Sequence, residues 1–159
     1  MMQVTHTPAY GQFYLQDPVH YDEMATARFT ERDFSRRFHC GQGIVSIFVI
    51  SEFSPISVEV ELLPGPPEHL FTPGWDRIIE CTVSIKSSSF VLAGCPDGPH
   101  YGRFGEIPCT PGEYAARVFY GGQTAFHHDG STGDFYRIEL WRSEPFEARE
   151  IFPGPSKLT

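Results

Sequence analysis

An antiparallel β-sandwich of about seven to eight strands, all-β with little helix, is the fold the sequence predicts. Three observations carry it. Phe occurs 14 times and Tyr 7 times in 159 residues, an aromatic load that suits pleated sheet better than helix. Gly (15) and Pro (14) are scattered as punctuation, marking many short elements joined by turns. Lys occurs only at Lys86 and Lys157, so the residues that build long surface helices are sparse. Helical patterns at βαβ spacing are missing, which argues against a parallel α/β sheet. The length fits a single domain, 1–159, with loose termini at 1–10 and 145–159.

The first strand is Gly11 to Gln16, ended by Asp17-Pro18 because Pro cannot donate to a ladder. His20 to Ala27 is polar and small and suits a helical turn. Arg28 to His39 sets Phe34 and Phe38 four apart, which fits a short amphipathic helix or an irregular arm. Ile44 to Ile50 is almost wholly apolar, as in a strand buried on both faces. Ile56 to Leu62 alternates Ile56, Val58, Val60 and Leu62 with Ser57, Glu59 and Glu61, the pattern of a half-buried strand. Pro64 to Pro67 breaks it. Ile78 to Lys86 alternates again and puts Cys81 on the apolar face as a buried thiol. Ser87-Ser88 turns the chain, and Ser89 to Ala93 returns as its hairpin partner, without the favoured Asn-Gly chemistry. Cys95 to Pro111 is a Pro-rich loop with room for one short strand. Two strands close the pattern. Tyr114, Ala116, Val118 and Tyr120 oppose Ala115, Arg117 and Phe119; Tyr136, Ile138 and Leu140 oppose Phe135, Arg137, Glu139 and Trp141. Paired antiparallel, they set Arg117 across from Glu139.

The formal net charge is −8. Up to Ile50 five acids meet four bases; from Ser51 onward fifteen meet eight. Such a surface disfavours nucleic acid and anionic membrane and suits a basic protein partner. No apolar run approaches the length of a membrane span. No basic segment followed by an apolar run opens the sequence, so the expectation is a cytoplasmic protein whose four cysteines stay free. Arg28, Arg32, Arg36 and Arg37, interleaved with Phe29, Phe34 and Phe38, make the one basic patch. On an acidic chain these arginines read as partners for carboxylates elsewhere.

Two groups of residues are candidates for function. His127, His128 and Asp129 sit on the loop Gly121 to Gly133, longer than a hairpin needs. Imidazole and carboxylate are metal ligands, but adjacent histidines on extended chain point apart and no third ligand is fixed. No metal and no cofactor are therefore assigned. Cys95, His100 and Cys109 lack the paired spacing of a zinc site. No Gly-x-Ser-x-Gly turn offers a nucleophile. The second group is Phe119, Phe135 and Trp141 on the polar-side parity of the last two strands, with Trp75 in the Pro-rich connection. Interfaces are enriched in such aromatics. Two alternatives stand beside a protein interface: a small metal-binding β-barrel enzyme using His127 or His128, and a carbohydrate-binding module using Trp75 or Trp141. Sheet edges also leave room for a homodimer.

The sequence reads Pro111-Gly112-x-Tyr114-x-x-Arg117-Val118, a Gly/Asp-rich loop, then Asp134-x-Tyr136-x-Ile138-x-Leu140-Trp141. This stretch resembles small bacterial proteins with the same strand–loop–strand motif. With the early Gln12-Phe13 strand and Asp17 after it, the whole chain is distantly similar to the competence protein J family, inhibitors of DNA-entry nucleases. The resemblance implies an all-β fold and supplies no catalytic residue. Resemblance and charge together point to a non-enzymatic acidic binding protein, an inhibitor or immunity-type partner of a basic enzyme such as a nuclease.

Overall fold

The computed structural model describes residues 1–124, 127 and 129–153. Among these, the elements run β1 (Met2–His6), β2 (Gln12–Gln16), a 3-10 turn (Ala25–Arg28), α1 (Glu31–Arg36), β3 (Phe38–Gly41), β4 (Ile44–Phe48), β5 (Ile56–Leu62), β6 (Arg77–Ile85), β7 (Ser89–Gly94), α2 (Gly98–Tyr101), β8 (Arg103–Pro108), β9 (Gly112–Gly121), β10 (Phe135–Arg142) and β11 (Arg149–Phe152). They form an all-β sandwich. A six-stranded sheet is ordered β1-β5-β10-β9-β6-β11, and a five-stranded one β3-β4-β2-β7-β8.

The alternating strands place themselves. Tyr114, Ala116, Val118 and Tyr120 of β9 point inward and are buried, as are Tyr136, Ile138 and Leu140 of β10 and Ile56, Val58 and Val60 of β5. From the other sheet Phe13, Leu15, Val45, Ile47, Phe90 and Leu92 meet them. Each such side chain contributes roughly 1.5–3 kcal/mol by leaving water. Arg117 lies opposite Glu139 in the antiparallel β9–β10 pair, the register the sequence implies. β10 also pairs with β5, Tyr136 beside Val58 and Ile138 beside Val60, and this pair is parallel.

Four departures from the sequence reading have physical causes. The strands outnumber the expected seven to eight because short edge strands were not legible as such. Met2–His6 is not a loose lead-in. It is β1, antiparallel to β5, with Met2 and Val4 packed on the core. Arg149–Phe152, inside the expected loose carboxy-terminal segment, is β11 on the free edge of β6. Ser89–Gly94 is not the hairpin partner of β6; it lies in the opposite sheet between β2 and β8.

That last crossing turns on Asp17, wholly buried at the end of β2. Its carboxylate accepts hydrogen bonds from the N–H of Lys86 (2.7 Å) and Ser87 (2.9 Å), and from the Ser87 hydroxyl (2.6 Å). It also accepts from Val19 N–H and His20 N–H, both at 2.9 Å. Burial opposes its ionisation, but the bonds from His20, Ser87 and Val19 prevail and hold the carboxyl well below its usual range. A carboxylate thus fixes the sheet-to-sheet turn in place of hairpin chemistry.

The Arg28–His39 segment resolves into α1. A capping box opens it: Thr30 Oγ1 accepts from Asp33 N–H (3.2 Å) and Asp33 accepts from Thr30 N–H (2.9 Å). Arg37, left-handed at φ 72, closes it. Arg28 pairs with Asp22 (2.6 Å) and Arg36 with Asp33 (3.0 Å), so the patch finds carboxylates close by in sequence rather than elsewhere, and among the described residues Arg32 and Arg37 make no ion pair.

Candidate functional site

At one end of the sandwich the β4–β5 loop meets the loop between β9 and β10, and buried Asp134 joins them. Its carboxylate accepts from Ile50 N–H (3.1 Å), Ser51 N–H (3.2 Å), the Tyr136 hydroxyl (2.6 Å) and the Thr132 hydroxyl. Asp134 and Tyr136, two apart at the start of β10, share a strand face, which is why the pair can work together. Burial, and then the hydrogen bond to Asp134, push the Tyr136 phenol well above its usual range, so it stays a donor. Ser54 N–H donates to Ser51 Oγ (3.0 Å), and Thr132 N–H to Ser54 Oγ (3.3 Å).

Above this knot lies a cleft of about 410 Å³, lined by Glu52, Phe53, Ser54, Asp129, Ser131 and Thr132. Phe53 is 80% exposed, an aromatic ring held out on a fixed loop. Asp129 Oδ1 accepts from the Ser131 hydroxyl (2.6 Å) and Ser131 N–H (2.9 Å), and these bonds hold its carboxyl below the usual range. His127 is exposed and its N–H donates to Ser131 O (2.9 Å). His128 lies outside the described residues. Among the described residues no three His, Cys, Asp or Glu side chains gather to hold a metal ion.

The aromatic candidates separate. Trp75 packs on Phe119 and on Phe135, ring centres 5.2 Å apart in each case. Phe119 is buried beneath it, and Phe135 is 39% exposed. Trp141 lies six residues along β10 from Phe135, about 20 Å away at strand rise. It is buried, with the Arg117 guanidinium 5.3 Å above its ring. The exposed aromatic surface of this group is therefore Phe135 with one side of Trp75. Glu52, Phe53 and Asp134 were not singled out by sequence as site residues. The only available signal was the Asp-x-Tyr spacing at Asp134, which reads equally well as structure.

Electrostatics on the outer face of the six-stranded sheet explain where the net charge resides. Glu61, Glu139, Arg117, Glu80 and Arg149 stand in one cross-strand row. Arg117 and Arg149 each hold Glu80 at 2.9 Å. Arg137 bridges Glu61 (2.6 Å), Glu59 (3.2 Å) and Glu139 (3.3 Å). Arg77 holds Glu150 (3.4 Å) and Arg103 holds Glu106 (3.2 Å). Most arginines are thus spent on carboxylates of their own chain. Among the described residues, exposed Glu23, Glu31, Glu52, Glu68, Asp129, Glu144 and Glu147 make no ion pair with Arg or Lys.

No protein-family model matches the sequence, and no curated protein matches it significantly. Two solved structures share its fold. One is the crystal structure of ComJ, inhibitor of the DNA degrading activity of NucA, from Bacillus subtilis: TM-score 0.67, 10% identity, covering 90% of this chain and 96% of that one. The other is crocagin biosynthetic gene J: TM-score 0.54, 14% identity, covering 90% and 98%. No helix among the described residues is long and apolar enough to cross a membrane. The distant resemblance to the competence protein J family therefore holds at the level of architecture: the chain is an all-β, two-sheet sandwich of the kind ComJ has.

Proposed function

We propose that the chain is a non-enzymatic binding protein that holds a basic protein partner, as an inhibitor or immunity-type partner of a basic enzyme such as a nuclease. One observation carries the reading: internal pairing takes up most of the arginines and leaves carboxylates facing solvent. Such a surface steers a cationic partner and occupies a cleft shaped for nucleic acid. The cleft at Glu52, Phe53 and Asp129 is the surface assigned to contact, because it joins two unpaired carboxylates to an exposed aromatic anchor. The shared fold with an inhibitor of a DNA-degrading enzyme supports the same reading.

The test is affinity capture from an extract of the source cell on immobilised protein, at about 50 mM and about 500 mM salt. Eluates are assayed for DNA-degrading activity and for its inhibition by added protein. A basic enzyme retained at low salt, released at high salt, and lost on Glu52→Lys with Asp129→Lys is the expected result. A partner-free column under both conditions counts against the proposal, as does a captured enzyme that the protein does not inhibit.

A further inference from the structure

Two thiols from opposite sheets meet at one edge of the sandwich. Cys40 belongs to β3, the outer strand of the five-stranded sheet, and Cys81 to β6 of the six-stranded one. Phe38 and Cys40 share a strand face; Phe38 is wholly buried, and Cys40 packs on the core cluster that contains Cys81. The neighbouring Cys40 thiol, ahead of burial, pushes the wholly buried Cys81 thiol well above its usual range. Some Cα atoms of β3 and β6 lie within 8 Å of one another. That is closer than the ~10 Å of ordinary stacked sheets, and it approaches the Cα separation a disulfide takes, about 4.4–6.8 Å. The other two thiols lie elsewhere, Cys95 beside Tyr14 and Cys109 beside Tyr114.

We propose that Cys40 and Cys81 are a covalent modification site: a reversible inter-sheet disulfide, formed by exchange with a small-molecule disulfide such as oxidised glutathione. Cys40 is half-buried on an edge strand and is the thiol a small oxidant reaches. Its thiolate attacks one sulfur of the oxidant, forming a mixed disulfide and releasing one glutathione thiolate, which takes up the proton Cys40 gave. Cys81 then attacks the Cys40 sulfur and expels the second glutathione, its own proton leaving with that thiol. Two protein thiols and one oxidised glutathione become one protein disulfide and two reduced glutathiones. Contact with Cys40 and burial keep the Cys81 thiol protonated, with the Arg36 charge a smaller opposing influence. The second step is accordingly the slow one. Arg36 itself lies over the Phe38 ring at 4.4 Å, and its buried Nε has no hydrogen-bond partner.

The bond would close a loop of roughly 40 residues and limit the unfolded chain. Purified full-length protein is incubated with oxidised glutathione, alkylated under denaturing conditions, and digested without reductant. The expected result is a linked peptide joining Cys40 to Cys81, a mass loss of two hydrogens, and a Tm higher by about 5–15 °C that reductant reverses. The Cys95→Ser, Cys109→Ser double variant keeps all three effects, and Cys40→Ser loses them. Since peptide mapping uses the unaltered chain, it decides the matter even if a core variant fails to fold. Alkylation of both Cys40 and Cys81 after oxidation, linkage to Cys95 or Cys109, or arrest at a glutathione adduct on Cys40 would each overturn the proposal.

Discussion

Replacing Asp17 by Asn keeps the shape of the side chain and removes its charge. Oδ1 accepts from Val19 N–H, His20 N–H and the Ser87 hydroxyl; Oδ2 accepts from Lys86 N–H and Ser87 N–H. Whichever oxygen becomes an NH2 group, at least two bonds become donor against donor. Hydrogen bonds to a charged group are worth about 1.5–3 kcal/mol each, so with some relaxation the variant loses about 3 kcal/mol. For a chain of this size that lowers Tm by about 6–12 °C. Urea unfolding followed by tryptophan fluorescence measures the loss. The pH dependence checks its cause. The folded-state carboxyl titrates below its unfolded value, so its stabilisation is full above the unfolded pKa of about 3.9 and is lost as pH falls from there toward the folded value. Asn does not titrate, so the gap between the two proteins narrows by about 1 kcal/mol between pH 5 and about pH 3. Asp33 is held low by its bonds to His39, Thr30 and Arg36 against the cost of burial, and it titrates in both proteins, so it cancels. A gap under about 1 kcal/mol near neutral pH, or one that does not shrink in acid, would refute the role given to Asp17.

Two further substitutions probe the outer face. Arg137→Met leaves Glu59, Glu61 and Glu139 facing one another without their bridging cation; these groups are partly solvated, so about 1–2 kcal/mol is lost, and the deficit shrinks in about 1 M salt. A salt-independent deficit would mean that lost packing, not repulsion, is the cause. Gly121→Ala sets a Cβ against the Phe135 ring, so that ring, which packs on Trp75, must shift. Tryptophan emission shifts red and stability falls by about 1–2 kcal/mol; unchanged emission would show that the ring does not move.

Alternation was the legible part of this fold. Ile56 to Leu62 and the strands flanking the glycine-rich loop could be placed, with the Arg117–Glu139 register, because each buries one face. Met2–His6, Phe38–Gly41, Arg103–Pro108 and Arg149–Phe152 are edge strands made by having a neighbour, and four to six half-exposed residues carry little periodicity. The β6–β7 connection misled because Ser87-Ser88 looks like a short hairpin turn, whereas the carboxylate that fixes it is Asp17, 70 residues earlier. At the candidate site, the polar parity of Phe119 and Trp141 suggested solvent. Trp75, brought in by the Pro-rich connection, covers the first, and the Arg117 guanidinium lies over the second. Parity assigns a face of a sheet, but what folds over that face is tertiary. The cleft at Glu52, Phe53 and Asp129 was unreadable for the same reason: two loops far apart in sequence meet through Asp134 and the Ser54–Thr132 hydrogen bond.

The parallel pairing of β5 with β10 sets a timetable for biosynthesis. β5 is complete at Leu62, but the neighbour for its second edge ends only at Arg142. At elongation rates of about 5–20 residues per second, that is roughly 4–16 s of translation. Throughout that interval a nascent chain carries Ile56, Val58 and Val60 on a strand with unfilled backbone hydrogen bonds, open to pairing with a neighbouring chain on the same message. The alternating Ser57, Glu59 and Glu61 guard it, since like charges set opposite one another disfavour self-pairing. The same glutamates that later receive Arg137 thus serve first as gatekeepers, before their cation has been synthesised.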